Sequence, residues 1–448
     1  MNEIDNMPGV DQQAPISSSD VGSVHPLATA QQFEIEATTA AILKTDEMQK
    51  AIEEGRQLLS KLAWANSEDA RQTFEQVVSE CAGYATLSAA NRDPQNPGLV
   101  WIQTPRKEWM GDEVTGSRFC FDNPDNIYRY AFIDDASTYV LDARPTGPTG
   151  RFSVAIYVAL TGAEVESWAD WERTVDAADE NRIITDSEGA SRITIGPDDP
   201  KDGSLHLKSK GGVFVIVREA LNDWHTQRPR AMSFRKVAGP QTPALTFDDR
   251  VAIAARYMKF GAQTIVQFEN LYKSIPINDF GDALQRGHST KPSMITQGRY
   301  QLADDEALIF NILPQGAEYM SLSVTSPWLI SRNTVSKSGT RTGCQSHQNA
   351  DGTYTYIVSH RDPGVANWMD TDGLHEGCMA MRWEGMHAPV ADPHDATTGA
   401  RVVKLDMIRS ALPADFPSVG PAERAAELAG READYKSRCG IECRFIEG

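Results

Sequence analysis

The chain has 448 residues, 40% apolar and 23% charged, with 62 acidic against 43 basic side chains and a net charge of −19. That length exceeds what one hydrophobic core usually serves, so two domains, or one large domain with helical extensions, are expected. The acidic surplus repels nucleic-acid backbones and anionic lipid and argues against both as main partners.

Residues 1–30, rich in Ser, Gln, Pro and Asp, read as a flexible lead-in without the basic head or apolar run of a signal peptide. No stretch is long and apolar enough to span a bilayer. Residues 31–95 carry helical periodicity. Ile42, Leu43, Ile52, Leu58, Leu59 and Leu62 recur among Glu, Gln and Lys, and Gly55 is expected to interrupt the run. Asn66 or Ser67 can cap a second helix whose apolar face holds Phe74, Val77, Val78, Cys81 and Tyr84.

After Asn96-Pro97-Gly98 the texture turns to strands. Over 96–240, short runs rich in β-branched and aromatic residues are separated by Gly, Pro, Asp and Asn. The alternation of 152–158 fits a sheet with one buried face, and no helix follows each strand, so a parallel βαβ layout is not expected. A long helix occupies 245–276 and ends at Pro276. Strands resume over 297–390. The tail, 400–448, begins with a strand-to-helix piece at 402–411 and carries a charged helix at 421–438. The fold class is therefore mainly β with helical additions. It has sandwich or jelly-roll regions, N-terminal helices, one long central helix and a C-terminal helix.

Within the second β region, residues 351–383 hold a strand, a polar loop from His360 to Glu376, and another strand. A connection this rich in His, Arg, Asp, Asn and Trp is longer than its two strands need, and long loops tend to be functional. It opens with Asp362-Pro-Gly and closes with Asp372-Gly, both turn chemistry.

Three stretches carry a resemblance. They are Asp122-Asn-Pro-Asp-Asn-Ile-Tyr-Arg, then Leu302-Ala-Asp-Asp-Glu with Ser326-Pro-Trp-Leu, and Arg361-Asp-Pro-Gly-Val-Ala-Asn-Trp-Met-Asp-Thr. Together they resemble the bacterial domain-of-unknown-function family 1214, often paired with a domain numbered 1254, over roughly residues 122–225 and 297–386. The last motif is the specific part. Met369 stands where Leu is expected, and Asp372 adds an acid. The resemblance implies a β-sandwich and no settled activity.

In the long loop, His375 with Asp370 or Asp372 could form a general-base pair, with Arg361 or Asn367 stabilising a developing oxyanion. Trp368 and Trp328 would wall the cleft. Tyr128, Arg129, Asp362 and His360 would add substrate contacts. Catalysis, ligand contact without chemistry, and plain loop architecture all remain open for this set, since Asp and Asn commonly bond their own backbone. Asn123-Pro-Asp-Asn is first of all a turn. His360 and His375 could meet around a metal with Asp362 or Asp370, but no HxH or HExxH spacing supports it, and no metal is assigned. Trp168 and Trp171 could be a carbohydrate platform, or a helix packing on the sandwich.

No GxGxxG after a strand, GxxxxGK[ST] or GxSxG is present, so no cofactor is expected. The six cysteines, of which only Cys439 and Cys443 lie close, do not form a disulfide scaffold, and a reducing cytoplasm is expected. The functional expectation is cofactor-free acid/base chemistry, of lyase, isomerase or hydrolase type, on a small, largely apolar molecule such as a steroid or aromatic catabolite. The alternatives are a non-catalytic small-molecule-binding or scaffold protein, and a carbohydrate-active sandwich. A homodimer is the default assembly.

Overall fold

The computed structural model describes residues 25–161, 163, 173–286, 292–388, 396–440 and 443–446. The lead-in through Val24, Trp168, Trp171, His288 and His394 lie outside the described residues.

The helical pattern of 31–62 is two helices, α1 (Ala30–Leu43) and α2 (Asp46–Leu59). Thr45 divides them. Its hydroxyl donates back to Ile42 O and accepts from Met48 N, ending one helix and capping the next. Gly55 does not interrupt α2. A Cβ there would fall 2.6 Å from Met258 Cε, so the glycine lets α2 lie close against the long helix. Ser67 caps the short α3 (Glu68–Gln72), and α4 (Phe74–Ala90) follows it. The long helix, α5 (Phe247–Ser274), starts with a Thr246–Asp249 capping box and stops just before Pro276. A single turn, α6 (Ile408–Ala411), and α7 (Pro421–Ser437) follow, and the strand Cys443–Phe445 after them pairs with Lys107–Trp109.

The β regions form two sandwiches. In the first, a five-stranded sheet (Val100–Ile102, Asn126–Phe132, Phe214–Ala220, Arg151–Tyr157, Thr174–Asp179) faces a four-stranded one (Ala231–Ala238, Thr138–Arg144, Ser191–Gly196, Leu205–Lys208). Inward side chains such as Leu141, Val154, Ile193 and Val217 fill the space between them. The other face of the five-stranded sheet, with Tyr130, Phe132 and Phe214, packs on α2, α4 and α5, giving three layers.

In the second sandwich, Asp279–Phe280, Ser293–Gln301, Glu376–Glu384, Tyr319–Thr325 and Thr340–Thr342 run side by side in one sheet. Facing them are Trp368–Asp370, Tyr354–Ser359, Glu306–Ile312 and Thr397–Lys404. Phe310, Leu322, Tyr356, Met381 and Trp383 build the core between these sheets. Its outer faces are covered by Phe268 and Tyr272 of α5 on one side and by Ile408, Leu412 and Phe416 on the other. Two strands differ from the sequence reading. Thr397–Lys404 pairs with Glu306–Ile312 along its length, and Trp368–Asp370 adds a parallel strand inside the segment read as a loop.

The Asp122–Asn126 turn joins the sandwiches. Asp122 accepts from Ser331 N (2.9 Å) and Ser331 Oγ (2.5 Å), and Asn123 donates to the Tyr319 hydroxyl at 2.8 Å. Asp125 accepts from Tyr319, Ser321 and Thr340. Residues read first as a turn are thus buried cross-links between the two β regions.

Candidate functional site

The long loop divides into a buried half and an exposed half. Asn367 sits at φ +53, a left-handed conformation that Asn tolerates better than most residues. Its amide donates to His347 O (2.8 Å) and Thr355 O (2.9 Å) and accepts from His347 N (2.7 Å). Trp368 is buried, its Nε1 bonded to Ser359 O at 3.0 Å and Arg424 over its ring. Asp362 pairs with Arg424 at 3.0 Å and accepts from Gly364 N at 2.9 Å. The Asp-Pro-Gly-Val-x-Asn-Trp motif is therefore a folding device: each polar group is used on a nearby backbone or on α7.

The single cleft expected from the sequence is not what these residues build. Trp328 is fully buried among Trp64 and Phe74, donating to Ala70 O at 2.8 Å. Arg129 is buried in the other sandwich against Glu219 (2.6 Å) and Arg230 O (2.9 Å). Tyr128 accepts from Asn126 at 3.2 Å, with Arg218 over its ring, and burial pushes its hydroxyl pKa up. Asp370 is not the partner of His375. It is buried, accepts from Asp372 N at 2.8 Å, and its carboxyl is pushed up to about 6 by burial.

His375 and His360 do come together, with their ring centroids 4.7 Å apart. The carboxylate between them is Asp304, from the turn after Ser293–Gln301. Its Oδ1 lies 2.9 Å from His375 Nε2 and 4.0 Å from His360 Nε2. On the other side of His375, Asp69 Oδ1 is 3.7 Å from Nδ1, while Asp69 Oδ2 accepts from the backbone of His375 (2.5 Å) and Glu376 (2.7 Å). The exposed Arg361 reaches Asp304 Oδ2 at 3.4 Å. The hydrogen bond from His375 holds the Asp304 carboxyl below the usual carboxylate range, while burial, then the neighbouring His375, lowers the His360 pKa. Sequence reading missed Asp69 and Asp304. Asp69 reads as an ordinary acid at a helix start, and Asp304 as part of a turn; 306 and 71 residues separate them from His375.

Two cavities lie elsewhere. One, of about 510 Å³, is polar and sits between Asn311, Thr355 and the segment 411–416. The other, of about 570 Å³, is mainly apolar and lies on the four-stranded sheet of the first sandwich, walled by His25, Pro26, Ile184, Leu205, Ala231 and Met232. Its charged lining balances: Arg144 and Arg192 against Asp142 and Asp186. Asp142 is held by Arg192 (2.6 Å) and Arg235 (2.9 Å). Burial, reinforced by the charge of Arg129, lowers the His25 pKa to about 4, so this ring is neutral at pH 7.

No family model and no curated protein matches the chain. Among solved structures it is similar to an uncharacterized protein from Burkholderia cenocepacia, at 19% identity and a TM-score of 0.67, covering 84% of this chain and 100% of that one. A protein from Vibrio parahaemolyticus aligns over 73% of this chain and 98% of that one, at 12% identity and a TM-score of 0.39, too low to support an argument. The first likeness shows a shared fold. Among the described residues, no helix is long and apolar enough to cross a membrane.

Proposed function

We propose that this chain binds a small, uncharged and largely apolar molecule in the 570 Å³ cavity of its first sandwich. The cavity itself carries the reading. Its volume falls within the range of ordinary ligand sites (roughly 300–1,000 Å³), and its apolar wall makes burial of an apolar ligand favourable by about 25 cal/mol per Å². Balanced lining charges and a neutral His25 favour a ligand without net charge. A cytoplasmic setting is part of this reading, supported by Cys81 and Cys378 lying as free thiols in separate parts of the core.

The test is titration with a neutral naphthylamine dye, then displacement by neutral steroids and aromatics. Leu205→Trp and Ala231→Trp fill the cavity and should weaken dye binding more than tenfold while leaving the melting temperature close to the parent's. Equal affinity in the filled variants sinks the proposal. So does dye binding that appears only when residues 1–24 are removed, which would make the chain's own lead-in the occupant.

A second reading, an acid/base enzyme, is favoured by one observation: His375 has a carboxylate beside each ring nitrogen. It predicts turnover that falls roughly a hundredfold or more in His375→Ala.

A further inference from the structure

We propose that Asp304, His360 and His375 bind one divalent first-row transition-metal ion, zinc fitting best, at a site separate from the apolar cavity. Each residue offers one donor atom, and the three atoms lie within 4.8 Å of one another. Zinc bonds of about 2.0–2.1 Å in a tetrahedron place donors about 3.3 Å apart. The 2.9 Å from Asp304 Oδ1 to His375 Nε2 is already close to that. The 4.0 Å to His360 Nε2 needs to shorten by about 0.7 Å. Rotation of the Asp304 side chain, 69% exposed, can supply it.

Two further observations point to a ligand. Asp69 stands behind His375 as a carboxylate behind a metal-bound imidazole does, near Nδ1 while Nε2 faces the site. It is itself buried and fixed by two backbone amides, so the ring orientation is built in. His360, with a side chain only 9% exposed, has a buried Nδ1 without a hydrogen-bond partner among the described residues, and its Nε2 is too far from Asp304 for a hydrogen bond. Nε2, which faces Asp304 without a hydrogen bond to it, is the nitrogen available to a metal ion. The backbone holds the donors in place. Leu302 N donates to His375 O at 2.8 Å, tying the Asp304 turn to the strand entry. Arg361 engages Oδ2 of Asp304 and leaves Oδ1 to the metal.

Two imidazoles and one carboxylate select zinc, cobalt, nickel or iron(II) over magnesium or calcium, which prefer all-oxygen shells. His375 is 46% exposed, so positions remain open toward solvent for water or an exogenous ligand. With the metal bound, His375 is a ligand and not a free base.

The experiment uses the full chain, stripped with a chelator and dialysed. Titration with cobalt(II), read by its visible absorption, and with zinc, read by calorimetry, should show one ion per chain and a raised melting temperature. His360→Ala and His375→Ala should each weaken zinc binding more than about a hundredfold, beyond the 10–100-fold expected for loss of an outer partner such as Asp69→Asn. Asp304→Asn, nearly isosteric and on an exposed turn, guards against misfolding as the cause. The proposal is overturned by absent binding, by unchanged affinity in the two histidine variants, or by magnesium binding as tightly as zinc.

Discussion

Asp69, in a five-residue helix near the start of the described chain, holds the backbone N–H of His375 at 2.5 Å. The same carboxylate oxygen takes the amide of Glu376, so one buried acid fixes the entry to the central strand Glu376–Glu384. Hydrogen bonds to a charged group contribute about 1.5–3 kcal/mol each. Asp69→Ala should therefore destabilise the fold by roughly 3–6 kcal/mol, measured by urea unfolding. A loss below half a kcal/mol would mean that the strand entry is held by other contacts.

Glu80 of α4 and Arg118 form an ion pair with side chains 4% and 3% exposed. Arg118 also donates to Ser331 O at 2.9 Å. Removing Glu80 takes away the carboxylate paired with the buried Arg118 guanidinium, so Glu80→Ala should cost about 3–5 kcal/mol. Replacing both residues by apolar ones of similar volume should cost much less. The comparison of the two variants is the measurement.

Asp370 gives a pH dependence with a definite sign. Its folded carboxyl titrates near 6 because burial disfavours the charge, against an ordinary value of 3.8. The folded state therefore binds the proton more tightly than the unfolded chain, and this group's contribution falls as pH rises from about 4 to 6. The full difference is about 3 kcal/mol. Asp370→Asn should raise the melting temperature at pH 8 and change it little at pH 4. A variant less stable than the parent at pH 8 would contradict this.

His25 borders the apolar cavity with its pKa lowered to about 4. Neutral-dye affinity should then stay flat from pH 8 to 5.5, because the ring gains no charge in that window. A histidine with the ordinary value would instead give a transition centred near 6.5. Proton NMR of the His25 ring, followed through the same range, gives the direct check.

Much of the architecture can be read from local pattern. The long helix is expected over 245–276 and runs Phe247–Ser274, because its apolar spacing, the Thr246 cap and Pro276 all agree. Of strand Thr397–Lys404 that reading catches only the end from 402, because the strand lies at a sheet edge with no buried side chain and its alternation carries little contrast. The polar loop stands out by composition, and its two histidines do meet, but the chemistry of that meeting is set by Asp304 and Asp69. No period or motif in one sequence reports that a turn acid and a helix acid will converge on a histidine far along the chain. For Asn367 and Trp368 the same composition meant backbone support.

The Asp122–Asn126 turn has a practical consequence for anyone dissecting this molecule. Cutting between the halves would strand Asp122 and Asp125 without the serine, threonine and tyrosine hydroxyls that now satisfy them, and would bare the Tyr319 end of the opposite sheet. Separately expressed halves should aggregate or stay molten, whereas the intact polypeptide should melt in one cooperative step.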